Sequence, residues 1–347
     1  MDSGEQNAIT DVPGISVGHA TLIQGAGKLV PGHGPVRTGV TVILPHDKNV
    51  YEEKLSAGVH VQNGAGELTG ALQVMEWGLL ETPIALTNTL NVGLVHDAIV
   101  EYMLEKNPDI GDRDEVILPV VGECDDSYLN DIRGRHVKRE HVLEAISVAG
   151  RKVAEGSVGA GTGMSSLGFK AGVGTASRKT TDDLGGHILG VLVVANFGGD
   201  RDLRLDGVPL GRELQAGNGS LSNDGSIITV IATNAPLTSS QLRRVAARVP
   251  LALGKVGSIS SNSSGDISIA FSTVGRVSAS GKPLSMVTET TSVEMLNRLF
   301  RATVEATEEA ILNSIFASET MKGRDDNISR GLPIDETLEI MRRHGRM

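Results

Sequence analysis

Short runs of β-branched and aliphatic residues alternate along this chain with segments whose apolar positions recur every three or four residues, and Gly, Asn and Pro mark most boundaries. The runs 39–44 (GVTVIL), 116–121 (VILPVV), 187–195 (HILGVLVVA), 226–233 (SIITVIAT) and 266–272 (DISIAFS) predict strands. Several are apolar with almost no alternation, the pattern of strands covered on both faces. Helical spacing predicts helices over 67–77, 92–106, 138–155, 239–254, 292–318 and 335–344. One of these opens with the capping-box spacing of Thr238-Ser239-Ser240-Gln241 and sets Leu242, Val245, Ala246 and Val249 on one face. In the long helix Val293, Leu296, Phe300, Val304, Ile311 and Ile315 form the inward stripe, and Glu305, Glu308 and Glu309 read as its solvated side.

One stretch breaks the alternation. Residues 215–225 (QAGNGSLSNDG) hold almost nothing to bury, and Ser226 then opens a β-branched run. A hydroxyl thus stands where a polar segment enters a core. That junction suits a chain that cuts itself: the Ser226 hydroxyl attacks the Gly225 carbonyl, and hydrolysis of the ester leaves Ser226 with a free α-amine. An α-amine titrates near ~8 and accepts a proton at neutral pH, as the base of an N-terminal nucleophile must. Gly225, with no Cβ, permits an unusual φ and a close approach. The same Asn-Asp-Gly is also an ordinary turn between strands, and the local sequence leaves both readings open. The linker 213–225 divides the chain into pieces of 225 and 122 residues. The second piece has too few elements for a closed core, so 1–347 is expected to form a single shared domain.

Composition narrows the classes. Hydrophobic residues at 39% and charged residues at 21% describe a globular chain with a substantial core, and 43 glycines against 3% aromatics favour close backbone packing over large rings. A formal charge of -10, with no offsetting basic run, argues against nucleic acid as a partner. No apolar stretch has the length of a membrane span. The single Cys124 forms no internal disulfide, and the first residues, MDSGEQNAITDVPG, lack the order of a signal peptide, so a cytoplasmic location is expected.

Other chemistries fit poorly. Residues 156–178 hold seven glycines and a lysine, but Gly168-Phe169-Lys170-Ala171 departs from the phosphate-loop pattern at the magnesium-binding position. GAGTGMSS follows a polar helix end and lacks a placed acidic ribose partner. These glycines read instead as sites where backbone packs on backbone. The nine histidines show no metal-binding spacing, no second cysteine exists, and neither metal nor organic cofactor is expected. No G-x-S-x-G elbow is present, which strengthens the α-amine as base. The acidic cluster Glu123-Cys124-Asp125-Asp126 follows a predicted strand, where functional groups often sit, although a solvated turn is the simpler reading.

Eight blocks in one order resemble the L-aminopeptidase/D-esterase (DmpA-type) and β-peptidyl aminopeptidase family: ITDVPGISVGHAT, NGAGELTGALQVMEWG, TPIALTNTLNVG, VVGECDDSYLND, GAGTGMSSLGFKAGVGTASR, VLVVANFG, DGSIITVIATNAPL and SSGDISIAFST. The resemblance implies a four-layer αββα sandwich of the N-terminal-nucleophile-hydrolase kind with altered connectivity. It further implies cleavage into an α chain, 1–225, and a β chain, 226–347. Ser226 matches the nucleophile, and Ser264 with Asp266 matches a Ser-Gly-acid motif that usually carries Glu, one methylene longer. Asn196 matches the residue whose amide stabilises the oxyanion. Glu123 matches a carboxylate for the substrate's amino group, and Tyr128, Asn88 and Asn130 are candidates for pocket walls and hydrogen bonds.

The implied activity is a self-processing serine aminopeptidase or amidase acting on short peptides or amino-acid amides and esters. D-, β- and ω-amino-acid substrates all remain open, the last as an oligomer hydrolase of the same fold. A non-catalytic, unprocessed small-molecule binder is the alternative from another class, though a binder has no need of Ser226, Ser264, Asp266 and Asn196 together. A related acetyl-transferring fold normally carries Thr at its processing site, which Ser226 disfavours. A homo-oligomer of αβ units, with a tetramer as the expected form, follows from the resemblance alone.

Overall fold

The computed structural model describes residues 1–214, 225–279 and 292–346. Residues 215–224, which hold most of the polar linker and Asp224, therefore lie outside the described residues.

The chain builds two main sheets and moves between them. β1 (Ser16–Gln24) and β2 (Val36–Leu44) pair antiparallel, β3 (Glu53–Gly64) joins the second sheet, and β4 (Ile84–Asn88) and β5 (Val120–Cys124) return to the first. The first sheet runs β1-β2-β4-β5. The second adds β6 (Val173–Lys179), β7 (Ile188–Asn196), β8 (Ser226–Thr233) and β9 (Gly265–Ser272), in the order β3-β9-β8-β7-β6 with two-residue strands beside β3. β8 lies antiparallel to β7 and parallel to β9, so its neighbours come from both sides of the linker.

Alternation of side chains along each strand makes this a layered structure. On β8, Ile227 and Ile231 enter the cluster under the helices, and Ile228, Val230 and Ala232 enter the layer between the sheets. On β4 and β5, Ile84, Leu86 and Val120 face that inner layer, and Ala85 and Val121 face outward. The outward face of the first sheet is covered by α1 (Val92–Lys106) and α2 (Arg139–Ser147). That of the second is covered by α3 (Ser239–Ala246), α4 (Val249–Val256) and α5 (Val293–Phe316). The order of layers is αββα, and burial on both faces explains the continuous apolar runs. α5 approaches β6 so closely that a Cβ on Gly174 would lie 1.8 Å from the Ala310 carbonyl oxygen, which accounts for a glycine within a strand.

Four strands, β1, β3, β4 and β6, lie outside the runs expected from the sequence, and several expected elements are cut short or broken. The run 116–121 becomes a strand only at Val120, because Pro119 has no N–H for the ladder, and Val116 is 66% exposed. The expected helix 239–254 is two helices, with Pro250 in the first turn of the second. The helix over 138–155 ends at Ser147, and Gly150 turns back to bridge with Val17 of β1. Among the described residues no helix is long and apolar enough to cross a membrane.

Candidate active site

The register of the second sheet assembles the centre. Ser226, the first residue of β8, stands opposite Asn196 at the end of β7 and opposite Gly265 at the start of β9. These residues are distant in sequence and adjacent only through strand pairing. Across the inner layer, β5 ends at Glu123 and Cys124, and the two sheets open there into a cavity of about 640 Å³. Gly225, Ser226, Asn196, Glu123 and Tyr128 all line it.

Ser226, Ser264 and Asp266 are all buried. The Ser264 hydroxyl donates to Asp266 Oδ1 at 2.5 Å, so the shorter aspartate does reach its serine. Asp266 Oδ2 is buried with no hydrogen-bond donor among the described residues. An acceptor left open beside β8 is suited to a donor that arises later, such as an ammonium.

Gly225 meets the requirement for close approach. A Cβ built there would lie 2.1 Å from the Asn196 carbonyl oxygen, and its φ is outside the left-handed region, so space and not backbone angle demands the glycine. Its carbonyl accepts the Gly265 N–H at 3.0 Å, which fixes the orientation of the Gly225–Ser226 peptide. Asn196 is itself held at both ends: Oδ1 accepts the Ser165 N–H at 3.0 Å, and Nδ2 donates to the Asp125 carbonyl at 2.9 Å. An amide nitrogen has two hydrogens, so one remains for another acceptor.

Glu123 is a buried carboxylate on the cavity wall. Oε1 accepts the Glu67 N–H at 3.0 Å, and Oε2 accepts the Thr89 hydroxyl. Burial pushes its carboxyl up, and the bonds from Thr89 and Glu67 oppose that rise. Tyr128 is half-buried and donates through its hydroxyl to the Ile328 carbonyl at 3.3 Å.

Asn88 and Asn130 are not cavity walls. Asn88 is buried behind the site, where its side chain accepts the Asn91 N–H and donates to Thr38 Oγ1 at 2.7 Å, holding the turn that presents Thr89 to Glu123. Asn130 accepts the Arg37 N–H and donates to Asp126 Oδ1, both at 2.9 Å. Short polar side chains of this kind stabilise turns, and that is what these two do. Asp126 is fully buried in the same network, and burial pushes its carboxyl up to about 7. Cys124 belongs to the inner apolar layer, and burial raises its thiol well above the usual range.

Three contributors carry little sequence signal. Ser165 lines the cavity and orients Asn196, but it lies in the glycine-rich stretch otherwise read as packing. Lys170, from the same stretch, is wholly buried, and its ammonium nitrogen faces the carbonyls of Gly161 (3.3 Å), Met164 (2.8 Å) and Ala171 (2.5 Å). Burial lowers it to about 7, and it organises the backbone just before Ser165. Arg324 reaches the cavity from a hairpin near the end of the chain. Among the described residues no group of three or more His, Cys, Asp or Glu is placed to hold a metal ion.

Known proteins resemble this chain over nearly its whole length. The β-peptidyl aminopeptidase BapA of Sphingosinicella microcystinivorans is 42% identical over 362 aligned positions, covering 99% of this chain and 90% of its own. The crystal structure of the PH0078 protein from Pyrococcus horikoshii OT3 superposes with a TM-score of 0.95 at 50% identity, covering 100% of this chain and 96% of that one. The L-aminopeptidase D-Ala-esterase/amidase of Ochrobactrum anthropi, described as a variant of the Ntn hydrolase fold, superposes at 0.91 with 36% identity, covering 99% and 96%. Residues 7–329 match Peptidase family S58, and the chain belongs to that family.

Proposed function

We propose that this protein cuts itself between Gly225 and Ser226 and then works as a serine aminopeptidase whose nucleophile and base are the hydroxyl and α-amine of Ser226. The observation that carries the reading is the position of Ser226 on the cavity surface, between Asn196 and the Ser264–Asp266 pair and within one cavity with Glu123.

In the first reaction Ser226 Oγ bonds to the Gly225 carbonyl carbon, the Gly225–Ser226 C–N bond breaks, and the hydroxyl proton ends on the departing nitrogen. Water then splits the ester, leaving a Gly225 carboxylate and a free serine amine. Because β8 is paired to β7 and β9 is paired to β3, each across the cut, the two chains stay together after it. In turnover the α-amine takes the Oγ proton and Oγ attacks the first carbonyl of the substrate. The remaining Asn196 N–H stabilises the oxyanion, a role worth about 3 kcal/mol in comparable sites. The proton passes to the leaving amine, and water releases the acyl group. Asp266, through Ser264 and its open Oδ2, holds the ammonium that forms during the cycle. Glu123 pairs with the substrate's own ammonium and restricts attack to the terminal residue.

The relatives named as β-peptidyl aminopeptidase and as L-aminopeptidase D-Ala-esterase/amidase point to amides and peptides of β-, L- and D-amino acids as first substrates; a homo-oligomer of αβ units is part of the same proposal. A panel of amino-acid p-nitroanilides and amides tests the activity. The wild type should turn over free-amine substrates, and Ser226→Ala should yield a full-length, inactive chain. A processed, active Ala variant would refute the assignment.

A further inference from the structure

The hairpin formed by Met321–Lys322 and Ile328–Ser329 lies across the loop that carries Asp125, Ser127 and Tyr128. It is tied to that loop at several points. The Asn327 amide donates to the Tyr128 carbonyl at 2.8 Å, and the Arg324 N–H donates to the Leu129 carbonyl at 2.9 Å. Arg324 Nε donates to the Ser127 carbonyl at 2.5 Å, and Ser329 Oγ meets Ser165 Oγ at 2.7 Å. The backbone around Arg324 is thus fixed relative to Ser165 and, through it, to Asn196.

Arg324 is the one cation among the described residues that line the cavity, which otherwise presents Glu67, Glu123 and Asp125. Of its five N–H groups, Nε serves Ser127 and one on Nη1 serves Asp325 Oδ2 at 3.1 Å. The Asp325 pair is on the exposed side, and Asp325 is separately committed to the Leu29 N–H. A clip on the Ser127 carbonyl needs one donor, and any donor would serve. A planar fork with spare N–H groups in a cavity that also holds a carboxylate for an ammonium is the complement of a zwitterion.

We propose that Arg324 binds the free C-terminal carboxylate of the substrate, so that this aminopeptidase is tuned to very short peptides, dipeptides first, over amides or long chains of the same sequence. The inference rests on the aminopeptidase reading above, because it places the substrate's ammonium at Glu123. The spacing is compatible. Ser127, to which Arg324 is bonded, is four residues from Glu123, at most about 14 Å along the chain, and Glu123 and Arg324 line one cavity. A dipeptide spans about 7 Å and a tripeptide about 10 Å.

Two measurements separate this claim from the reading beneath it. The reduced-amide analogue of alanyl-alanine, which resists hydrolysis, and its C-terminal carboxamide are titrated calorimetrically into the wild type, Arg324→Met and Arg324→Lys. The acid should bind the wild type about 10- to 100-fold more tightly than the carboxamide, the usual worth of a charged hydrogen bond. Met should erase that ratio and Lys should keep part of it. A wild-type ratio near one, a ratio that survives in Met, or no binding of either analogue at millimolar concentration would overturn the proposal. In parallel, kcat/KM for alanyl-alanine and β-alanyl-alanine is compared with that for their carboxamides. The loss caused by Met should be at least about tenfold larger on the acids; equal losses would make Arg324 a structural clip. If the binding ratio holds and no substrate is turned over, the carboxylate site stands and the peptidase reading falls. Self-cleavage of each variant on a denaturing gel reports that it has folded.

Discussion

Replacing Glu123 by Gln probes the selectivity of the site for free amines. Glutamine keeps the shape and the oxygen that accepts the Glu67 N–H, removes the charge, and reverses the Thr89 contact, because an amide NH2 donates to the hydroxyl from which Oε2 accepted. Glu123 is 3% exposed, so its charge is poorly screened by water. At a separation of about 4 Å and an effective dielectric near 20, an ammonium and a carboxylate attract by about 4 kcal/mol. The cavity is open on one side, which reduces this to about 2–3 kcal/mol, or a factor of about 30–150 in kcat/KM. The assay compares an amino-acid ester bearing a free α-amine with the same ester lacking the amine. The variant should lose that factor on the first and little on the second. The raised carboxyl of Glu123 adds a pH signature with a defined sign. Binding of the free-amine substrate should strengthen as pH rises and the carboxylate ionises, then fade above about 8 as the substrate amine loses its proton. In the ratio of kcat/KM for the two esters, to which the Ser226 α-amine contributes equally, Gln should remove the lower limb and leave the upper. Equal losses on both esters, or an unchanged lower limb, would refute the assignment.

Three further substitutions test separate parts of the account. Gly225→Ala sets a Cβ against the Asn196 carbonyl and should slow self-cleavage by at least about tenfold, followed as the decay of full-length chain on a gel; an unchanged rate would show that the close approach is dispensable. Asp126→Asn addresses a buried acid raised from 3.8 to about 7. The folded chain holds a proton that the unfolded chain releases, so this group's contribution is present at low pH and is lost as pH rises through about 7. That loss amounts to a few kcal/mol at about 1.4 kcal/mol per unit, and denaturation at pH 5 and pH 8 should show a smaller decline in the Asn variant. Lys170→Met leaves the carbonyls of Gly161, Met164 and Ala171 without their donor and should cost about 2–4 kcal/mol in stability, with lower turnover because the segment leading to Ser165 loosens; a fully active, equally stable variant would contradict that role.

The parts of this molecule that could be read from its sequence are those whose signal is local. The runs that became β7, β8 and β9 are apolar on both faces, and their burial on both faces follows from that pattern, whereas the four-layer stack was implied by the family resemblance. Ser226 stood out because a polar segment abuts a buried strand. β1, β3, β4 and β6 were missed because glycines or polar residues interrupt them, and such glycines exist for contacts with distant elements, as Gly18 does for α2 and Gly174 for α5. The capping signal at Thr238 was correct locally, yet the helix it opens is broken at a proline whose effect outweighs the periodic pattern. Site residues divide in the same way. Ser264, Asp266 and Asn196 were reached through the family resemblance of the short motifs that hold them and read locally as strand ends, whereas Arg324 reaches the cavity through a hairpin almost a hundred residues beyond Ser226, which no periodicity encodes. Asn88 and Asn130 show the opposite error: polar residues near a site can serve its scaffold without touching its cavity.

The most direct test is the intact mass of the active species, purified and denatured, recorded alongside its N-terminal sequence. The account predicts two polypeptides, one ending at Gly225 and one beginning with an unblocked Ser226, with combined mass one water above the uncut chain and with activity rising in step with their appearance. Full activity in protein whose backbone runs unbroken from Gly225 to Ser226 would contradict it.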